Sequence, residues 1–431
     1  MSKQPHTLAF EDKIFKNLDG RDDWQLAGYK KRGGYKGLEK ILKMDRKDII
    51  EQLKESSQRG RGGAGFPTGM KWSFMPPPDP KRPSFLVVNA DESEPGTCKD
   101  RDIMRYDPHT LVEGIVAGCH AMGATASYIY VRGEYVDEAA HLQKAIDEAY
   151  EAGYLGKNIL NTGVDVDAYV HMGAGAYICG EETGLLESLE GKKGQPRMKP
   201  PFPAGYGLYG QPTTVNNVET VAQIPPILKK GVKWWTQFGR ANNHGTKIFS
   251  ISGAVNTPCN VEAPMSASLK DLIDEHAGGI IGGWENLQAV IPGGSSTPMI
   301  SAEEAQNVLM DFDALRELGT GLGTAAVVVI NKDADVLDVM TRVARFYKHE
   351  SCGQCTPCRE GVGWVWRMME RLKNGEGSLE ELDELYNVTK RIEGHTICAF
   401  ADGAMWPTQG TLKHFRHLFE ERIKNKQQKS A

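Results

Sequence analysis

Four cysteines carry the strongest chemical signal in the chain: Cys352, Cys355 and Cys358 are separated by two-residue spacers, and Cys398 follows forty residues later. Such spacers let three thiolates converge on one site from a single turn while a distant fourth closes it, the arrangement that cubane iron–sulfur clusters use. A structural zinc site with four cysteines normally presents two pairs, not a triplet plus one. The pattern therefore favours a [4Fe–4S] cluster. Pro357 suits the first turn of a helix, which puts the thiolates at a helix N-terminus where backbone amides can face sulfur.

A second group is glycine-rich. Gly60, Gly62, Gly63 and Gly65 fall within six residues, so the backbone there can approach a flat or phosphorylated ligand closely. The G-x-G-x-x-G match itself is weak, because a helical stretch and not a strand precedes it. Arg61 and Lys71 offer cations to phosphate, and Phe66, Trp72 and Phe74 offer rings that can clamp an adenine or flavin. Asn89, Asp91, Glu92 and Glu94 follow the strand-like run Phe85 to Val88 directly, at the carboxyl end where parallel sheets place ligands. Carboxylates there can accept from ribose hydroxyls, and Asp91 from the N3–H of a flavin ring.

The same geometry recurs once more. A run that alternates from Val164 to Val170 leads into Gly173 to Gly180 and then a helix opening at Glu181 and Glu182, a seat for an anion or cofactor. The two glutamates could equally serve only the helix dipole. Asn216 and Asn217 add amide donors and acceptors. His171, His349 and His395 read as packing residues, and Cys98, Cys119 and Cys259 as small buried ones; Cys179 adjoins the glycine–alanine seat.

These residues need elements to hold them. The stretch Asp45 to Ser57 reads as a helix with an Ile49, Ile50 and Leu53 stripe, and Pro76 to Pro80 marks a crossing into a new unit. Strand-like runs (Phe85 to Val88, Ser127 to Val131, Val164 to Val170) alternate with helical ones (His109 to Met122, Val136 to Ala152, Glu181 to Glu190), which predicts a mainly parallel sheet covered by helices. Lys199 to Pro203 reads as an ordered loop over the sheet edge. Strands at Lys247 to Ser252 and near Gln288 and Ala325, with a turn at Asn256 to Pro258 and a helix at Leu269 to His276, suggest a small α+β unit of β-grasp type. From Asp333 the chain reads as helical throughout, with a capping box at Ser378 and Glu381; four helices before the polar tail Lys424 to Ala431 suggest a bundle.

The bulk numbers agree with a multidomain protein. A chain of 431 residues is long enough for about two to four domains. A hydrophobic fraction of 40%, a charged fraction of 25% and a net charge of −5 give no excess of positive charge to draw the chain onto nucleic acid or anionic lipid. The longest apolar runs, such as Ala325 to Ile330, fall far short of the roughly 20 residues that span a membrane. Met1 to Phe10 lacks the character of a secretory or organellar leader, so a bacterial cytoplasmic setting is expected, and eight cysteines without export features point to metal ligation over disulfides.

Five motifs in order, GRGGAGFPTGMKWSF at Gly60 to Phe74, NADESEPG at Asn89 to Gly96, GAGAYICGEET at Gly173 to Thr183, PTTVNNVET at Pro212 to Thr220 and ESCGQCTPCREG at Glu350 to Gly361, closely resemble the NADH-binding flavoprotein subunit of bacterial respiratory complex I. The resemblance runs from about residue 10 to residue 425. It implies an N-terminal segment with the glycine-rich loop (1–75), a Rossmann-like FMN/NADH domain (76–240), a ubiquitin-like β-grasp domain (241–332) and a helical bundle holding a [4Fe–4S] cluster (333–431). It implies an oxidoreductase that takes hydride from NADH onto FMN and passes single electrons to the cluster and on towards quinone, with no protein residue as acid or base. Gly62, Gly63, Lys71, Asn89, Asp91, Glu92, Gly180, Glu181, Asn216 and Asn217 would line FMN. Phe66, Phe74 and Phe202 would sit at the adenine of NADH, and Lys71, Glu94, Tyr177 and Glu182 along the rest of it. Cys352, Cys355, Cys358 and Cys398 would hold the cluster.

The resemblance further implies partners, above all a small thioredoxin-like [2Fe–2S] subunit and the large iron–sulfur subunit, and a peripheral place on the cytoplasmic face of the inner membrane, with membrane contact only through those partners. One departure stands at Cys398 to Asp402, which reads Cys-Ala-Phe-Ala-Asp where related chains more often read Cys-Ala-Leu-Gly-Asp; it bears on the packing between cluster and flavin. Two other readings are open on these residues: the diaphorase subunit of an NAD-linked hydrogenase or formate dehydrogenase, which shares the half-reaction, and a zinc-stabilised nucleotide-binding scaffold, which would carry neither flavin absorbance nor iron.

Overall fold

The structure, a computed structural model, describes residues 7–430. The leader-free reading of Met1 to Phe10 and the last residue of the polar tail therefore lie in part outside the described residues.

Four parallel strands form the first sheet: β1 (Phe85–Ala90), β2 (Ala126–Val131), β3 (Asp167–Met172) and β4 (Thr213–Asn217), in the order β3-β2-β1-β4. Leu86, Val88 and Ala90 point into one core and Val87 into another. A strand buried on both faces reads as a near-continuous apolar run, as Phe85 to Val88 of β1 does. Helix Pro108–Met122 covers one face. It starts on a proline in its first turn, stops at Gly123, whose φ of +67° a glycine adopts freely, and is buried along nearly its whole length.

The chain passes from β1 to β2 to β3 in one direction and returns on the other side of β1 with β4. That reversal is a topological switch point, and ligands of such sheets sit beyond the carboxyl ends of the strands flanking it. Here those ends are Asn89 and Asn217, which are register partners.

The second sheet has the order β10-β9-β11-β7-β8, formed by β7 (Thr246–Gly253), β8 (Cys259–Pro264), β9 (Leu287–Ile291), β10 (Ile300–Ser301) and β11 (Ala326–Asn331). A two-residue ladder, β5 (Gly239–Arg240) with β6 (Asn243–His244), precedes it. β7 and β11 are parallel and the other pairs antiparallel, as a β-grasp-like unit requires. Four helices follow, Val336–Glu350, Thr356–Lys373, Leu379–Ile392 and Phe400–Ser430, and one core joins them to the second face of the first sheet.

Several expected elements take other limits. The third strand ladder begins at Asp167 and not at Val164, because Val166 pairs antiparallel with Gly156 before the chain joins the sheet. The helix at Leu269 to His276 is α only to Asp271 and π beyond it. Ser378 caps its helix by accepting from the Glu381 amide, but the complete reciprocal box is at Ser301 and Glu304. The polar tail from Lys424 continues the last helix to Ser430. Helix Lys99–Tyr106 and strands β4 and β8 were not expected.

Candidate functional site

The carboxyl ends of β1 and β4 open onto a cavity of about 460 Å³, a size typical of cofactor sites. Gly62, Gly63, Asn89, Asp91, Glu92, Glu94, Tyr177, Gly180, Glu181 and Asn217 line it. Asn89 donates its side-chain amide to the Gly180 carbonyl at 2.8 Å, which ties the end of β1 to the turn before helix Glu182–Leu189. Gly62 must be glycine: a Cβ there would come within 2.9 Å of Asn217 Cβ. Its neighbour Gly63 holds φ +133°, a left-handed conformation that disfavours side chains.

The carboxylates divide by role. Asp91 is buried, its Oδ2 has no hydrogen-bond partner, and burial pushes its carboxyl up to about 7. A buried unpaired acceptor on a cavity wall calls for a donor on the ligand. Glu92, while lining the cavity, accepts from the amides of Asp100 and Arg101 at 2.8 and 2.9 Å and so caps helix Lys99–Tyr106. Glu94 accepts from the Tyr177 hydroxyl and the Ser296 amide, each at 2.6 Å. Glu181 is the N-cap of helix Glu182–Leu189, accepting from the Thr183 and Gly184 amides, so its helix-end role is realised while it also lines the cavity.

Beside the cavity runs a chain of charges. Lys71 meets Glu182 at 3.0 Å, and Lys199 meets Glu181 and Glu182 at 2.9 and 3.2 Å. Burial alone would raise the Glu182 carboxyl, but Lys71 and Lys199 outweigh it and hold it below its ordinary value. Phe66 and Phe74 lie on the surface with ring centroids 6.2 Å apart, and Phe202 is likewise exposed. Three expected contacts point elsewhere. Gly60 pairs with Phe66 through the backbone; the fully buried Arg61 binds Gln223 and the His244 carbonyl; Asn216 accepts from the Trp72 indole.

The four cysteines converge. Cys352, Cys355, Cys358 and Cys398 line one small void, closed by Ile178, Thr396 and Phe400 among others. Cys355 is the N-cap of helix Thr356–Lys373, with Pro357 in the first turn. The Ile397 amide donates to Cys355 Sγ at 3.3 Å, and Ser351 Oγ stands 3.1 Å from Cys358 Sγ. Burial pushes the thiols of Cys358 and Cys398 up to about 11 and 12; a metal in place of the proton removes that penalty. Ile178 and Phe400 line both the void and the large cavity.

Comparison with known proteins decides the family. The Nuo51 FMN-binding domain matches residues 53–226, the SLBB domain residues 247–330, and the iron–sulfur binding region of NADH-ubiquinone oxidoreductase-F residues 338–422. An NADH-quinone oxidoreductase F subunit of Rhizobium meliloti (strain 1021) is 62% identical over 416 residues, 96% of each chain. The corresponding F subunit of Rhodobacter capsulatus is 60% identical over 417 residues, 97% of each. The chain belongs to the family of NADH-quinone oxidoreductase F subunits.

Among solved structures, the architecture of this family is shared with a chain of the NAD+-reducing [NiFe]-hydrogenase in its H2-reduced state, at TM-score 0.81 and 33% identity. The match covers 89% of this chain and 64% of the hydrogenase chain, so this chain spans under two thirds of the hydrogenase chain's length. Membership of the F-subunit family brings FMN, a [4Fe–4S] cluster and NADH as the cofactors, and the residues present fit the first two: an unpaired buried acceptor and a glycine cradle in the cavity, and four thiols around the void.

Some of the cavity had no herald in the sequence. Ser296, Thr297, Gly321, Gly323 and Thr324 reach it from loops of the second sheet, and Trp406 from the last helix. The glycine- and hydroxyl-rich composition of 293–297 and 319–324 was the available signal. Lys99 also lines the cavity, fully buried and bonded to Asp100, Asn217 and Glu219. Burial works against its charge, but Asp100 and Glu219 overcome it and hold the ammonium above its ordinary value. Cys98 and Cys259, expected as buried, are only half-buried, and Cys98 donates to Asn260.

Proposed function

We propose that the chain oxidises NADH at the mouth of the large cavity, holds FMN within it, and passes electrons to a [4Fe–4S] cluster held by Cys352, Cys355, Cys358 and Cys398, as the NADH dehydrogenase subunit of complex I. The observation that carries this reading is the shared wall: Ile178 and Phe400 line both compartments, so one layer of side chains separates them. FMN supplies the exchange between two-electron hydride chemistry and single-electron transfer, and the cluster supplies the one-electron acceptor.

The chain's own work is binding, orientation and exclusion of water. Gly62 and Gly63 let backbone approach the flavin, and Asn89, Asp91, Gly180 and Asn217 fix it at the switch point, with Asp91 Oδ2 accepting from it. Glu94 and Tyr177 orient the nicotinamide end. The exposed rings of Phe66, Phe74 and Phe202 take the adenine, and Lys71, Glu181, Glu182 and Lys199 form the polar bridge between the two ends. Glu182, ionised at neutral pH, repels a 2′-phosphate and favours NADH over NADPH. The units 1–75, 76–240, 241–332 and 333–431 divide this work between glycine loop, cofactor domain, β-grasp domain and cluster bundle.

Among the described residues no helix is long and apolar enough to cross a membrane, and the chain serves as a peripheral subunit of its complex. Its electrons leave to a thioredoxin-like [2Fe–2S] subunit and the large iron–sulfur subunit, on the cytoplasmic face of the inner membrane. Near full-length identity to the quinone-linked relatives supports this over a hydrogenase or formate dehydrogenase diaphorase.

The test is NADH oxidation with ferricyanide as acceptor, measured beside the visible spectrum of the purified complex. Flavin absorbance, iron and NADH-dependent turnover are expected together. A chain that carries zinc and no flavin is a scaffold, and the proposal fails.

A further inference from the structure

The acidic loop leans on the β-grasp domain from Glu94 to Cys98. Ser296 donates its amide to Glu94 at 2.6 Å, and Ser295 donates its amide to the Pro95 carbonyl at 3.4 Å. Thr97 and Thr324 join their hydroxyls at 2.6 Å, and the Cys98 amide donates to Ser250 Oγ at 3.3 Å. Gly294 holds φ +96°, and a Cβ there would come within 2.6 Å of Glu94 Cγ. Only a glycine lets the loop close this tightly. On its far side, Ser295 Oγ bonds the Tyr347 hydroxyl at 2.8 Å, which anchors the loop to the bundle.

From this geometry we infer that the β-grasp domain is a positioning device for the nucleotide: its loop Gly294–Ser296 fixes the orientation of the Glu94 carboxylate, and through it the affinity for NADH. The inference rests on the reading of Glu94 as a nucleotide contact. The donors to Glu94 come from two domains: the Tyr177 hydroxyl from the cofactor domain, and the Ser296 amide, with the hydroxyls of Ser295 and Ser296, from the β-grasp domain. A carboxylate held from two domains at fixed angles presents one face to a ligand, whereas a carboxylate held from one can rotate. Gly294 and Ser295 are therefore positioning residues, acting on the nucleotide only through Glu94.

A double-mutant cycle isolates that route, because residues that act through one group lose their effect once the group is gone. The holoenzyme complex and its E94Q, G294A and S295A forms, with G294A and S295A also in the E94Q background, are compared by calorimetric binding of NAD+ and by the division of the effect between KM and kcat. Iron and flavin content checks that each variant is assembled. S295A, which deletes one hydroxyl, carries the test if G294A does not assemble. E94Q is expected to weaken NAD+ binding about tenfold. G294A should weaken it several-fold and S295A less, with the change in KM and not kcat, and neither should add anything in the E94Q background. If G294A and S295A bind NAD+ as the parent does, or weaken binding by the same factor with and without E94Q, the positioning role is overturned. If E94Q itself leaves binding unchanged, it is the reading of Glu94 that fails.

Discussion

The ring of Phe400 meets the ring of Tyr177 edge-on, with 5.8 Å between centroids, while Phe400 also closes the void between the four cysteines. Tyr177 in turn donates to Glu94. A packed line of side chains thus leads from the four-cysteine void through Phe400 and Tyr177 to the Glu94 carboxylate.

Phe400 is buried in that line, so Phe400→Ala is expected to destabilise the fold by about 3–5 kcal/mol, the usual cost of emptying a buried ring site. Phe400→Leu, which keeps an apolar side chain in the site, should cost under about 1.5 kcal/mol. Urea unfolding followed by circular dichroism measures both. Equal stability of the two variants would mean that the wall is not packed as described.

Cys398 lines the void from a segment forty residues beyond the other three cysteines and is proposed as the fourth cluster ligand. Cys398→Ser should lose most of the iron while keeping flavin, because the cavity is lined independently of the thiols. Iron analysis beside flavin fluorescence after acid release reads this directly; loss of both in equal measure would argue for collapse of the bundle.

On the proposed reading, Glu182→Gln removes the charge that opposes a 2′-phosphate. The ratio of kcat/KM for NADPH to that for NADH is expected to rise about tenfold, a typical gain when one unfavourable charge is deleted. Lys71 and Lys199 keep their remaining partners, so the fold should survive. An unchanged ratio removes Glu182 from the specificity account.

Asp91 contributes to the pH dependence of the flavin-free chain, alongside Glu92, Asp107 and Glu262, whose carboxyls burial also raises. Burial raises the Asp91 carboxyl from its ordinary 3.8 to about 7, partly opposed by Arg132 and Ser93. A folded-state value above the unfolded one means that the native chain holds the proton longer. Stability therefore falls as pH rises from about 4 to about 7 and is flat below that window. Asp91→Asn should remove part of this fall. Thermal melts of apo parent and variant at pH 4.5 and 7.5 measure it, and identical pH slopes would contradict the assignment.

How far the sequence revealed this depended on whether the signal was local. The cysteine spacing, the proline in the first turn after Cys355 and the apolar run of β1 are neighbours in sequence, and each stands where it was expected. β4 escaped notice because Thr213 to Asn217 is polar, and only its pairing with β1 makes it a strand. Arg61 looked like a phosphate ligand beside its glycines, yet its stem turns the guanidinium into a core with Gln223 and Trp235. Nothing local reveals a side chain's direction at a loop. Ser296 and Thr324 come from loops of a separate sheet, and no spacing rule brings them to Glu94 and Thr97.

Electrons taken from NADH in the cavity are to reach the four-cysteine site through one layer of side chains. Anaerobic addition of NADH to the cofactor-loaded chain, followed optically for flavin and by EPR for the cluster, tests this most directly. Flavin bleaching should be accompanied by a reduced-cluster signal that C398S lacks. Bleached flavin beside a cluster that stays oxidised, at a potential where dithionite reduces it, would contradict transfer between the two sites.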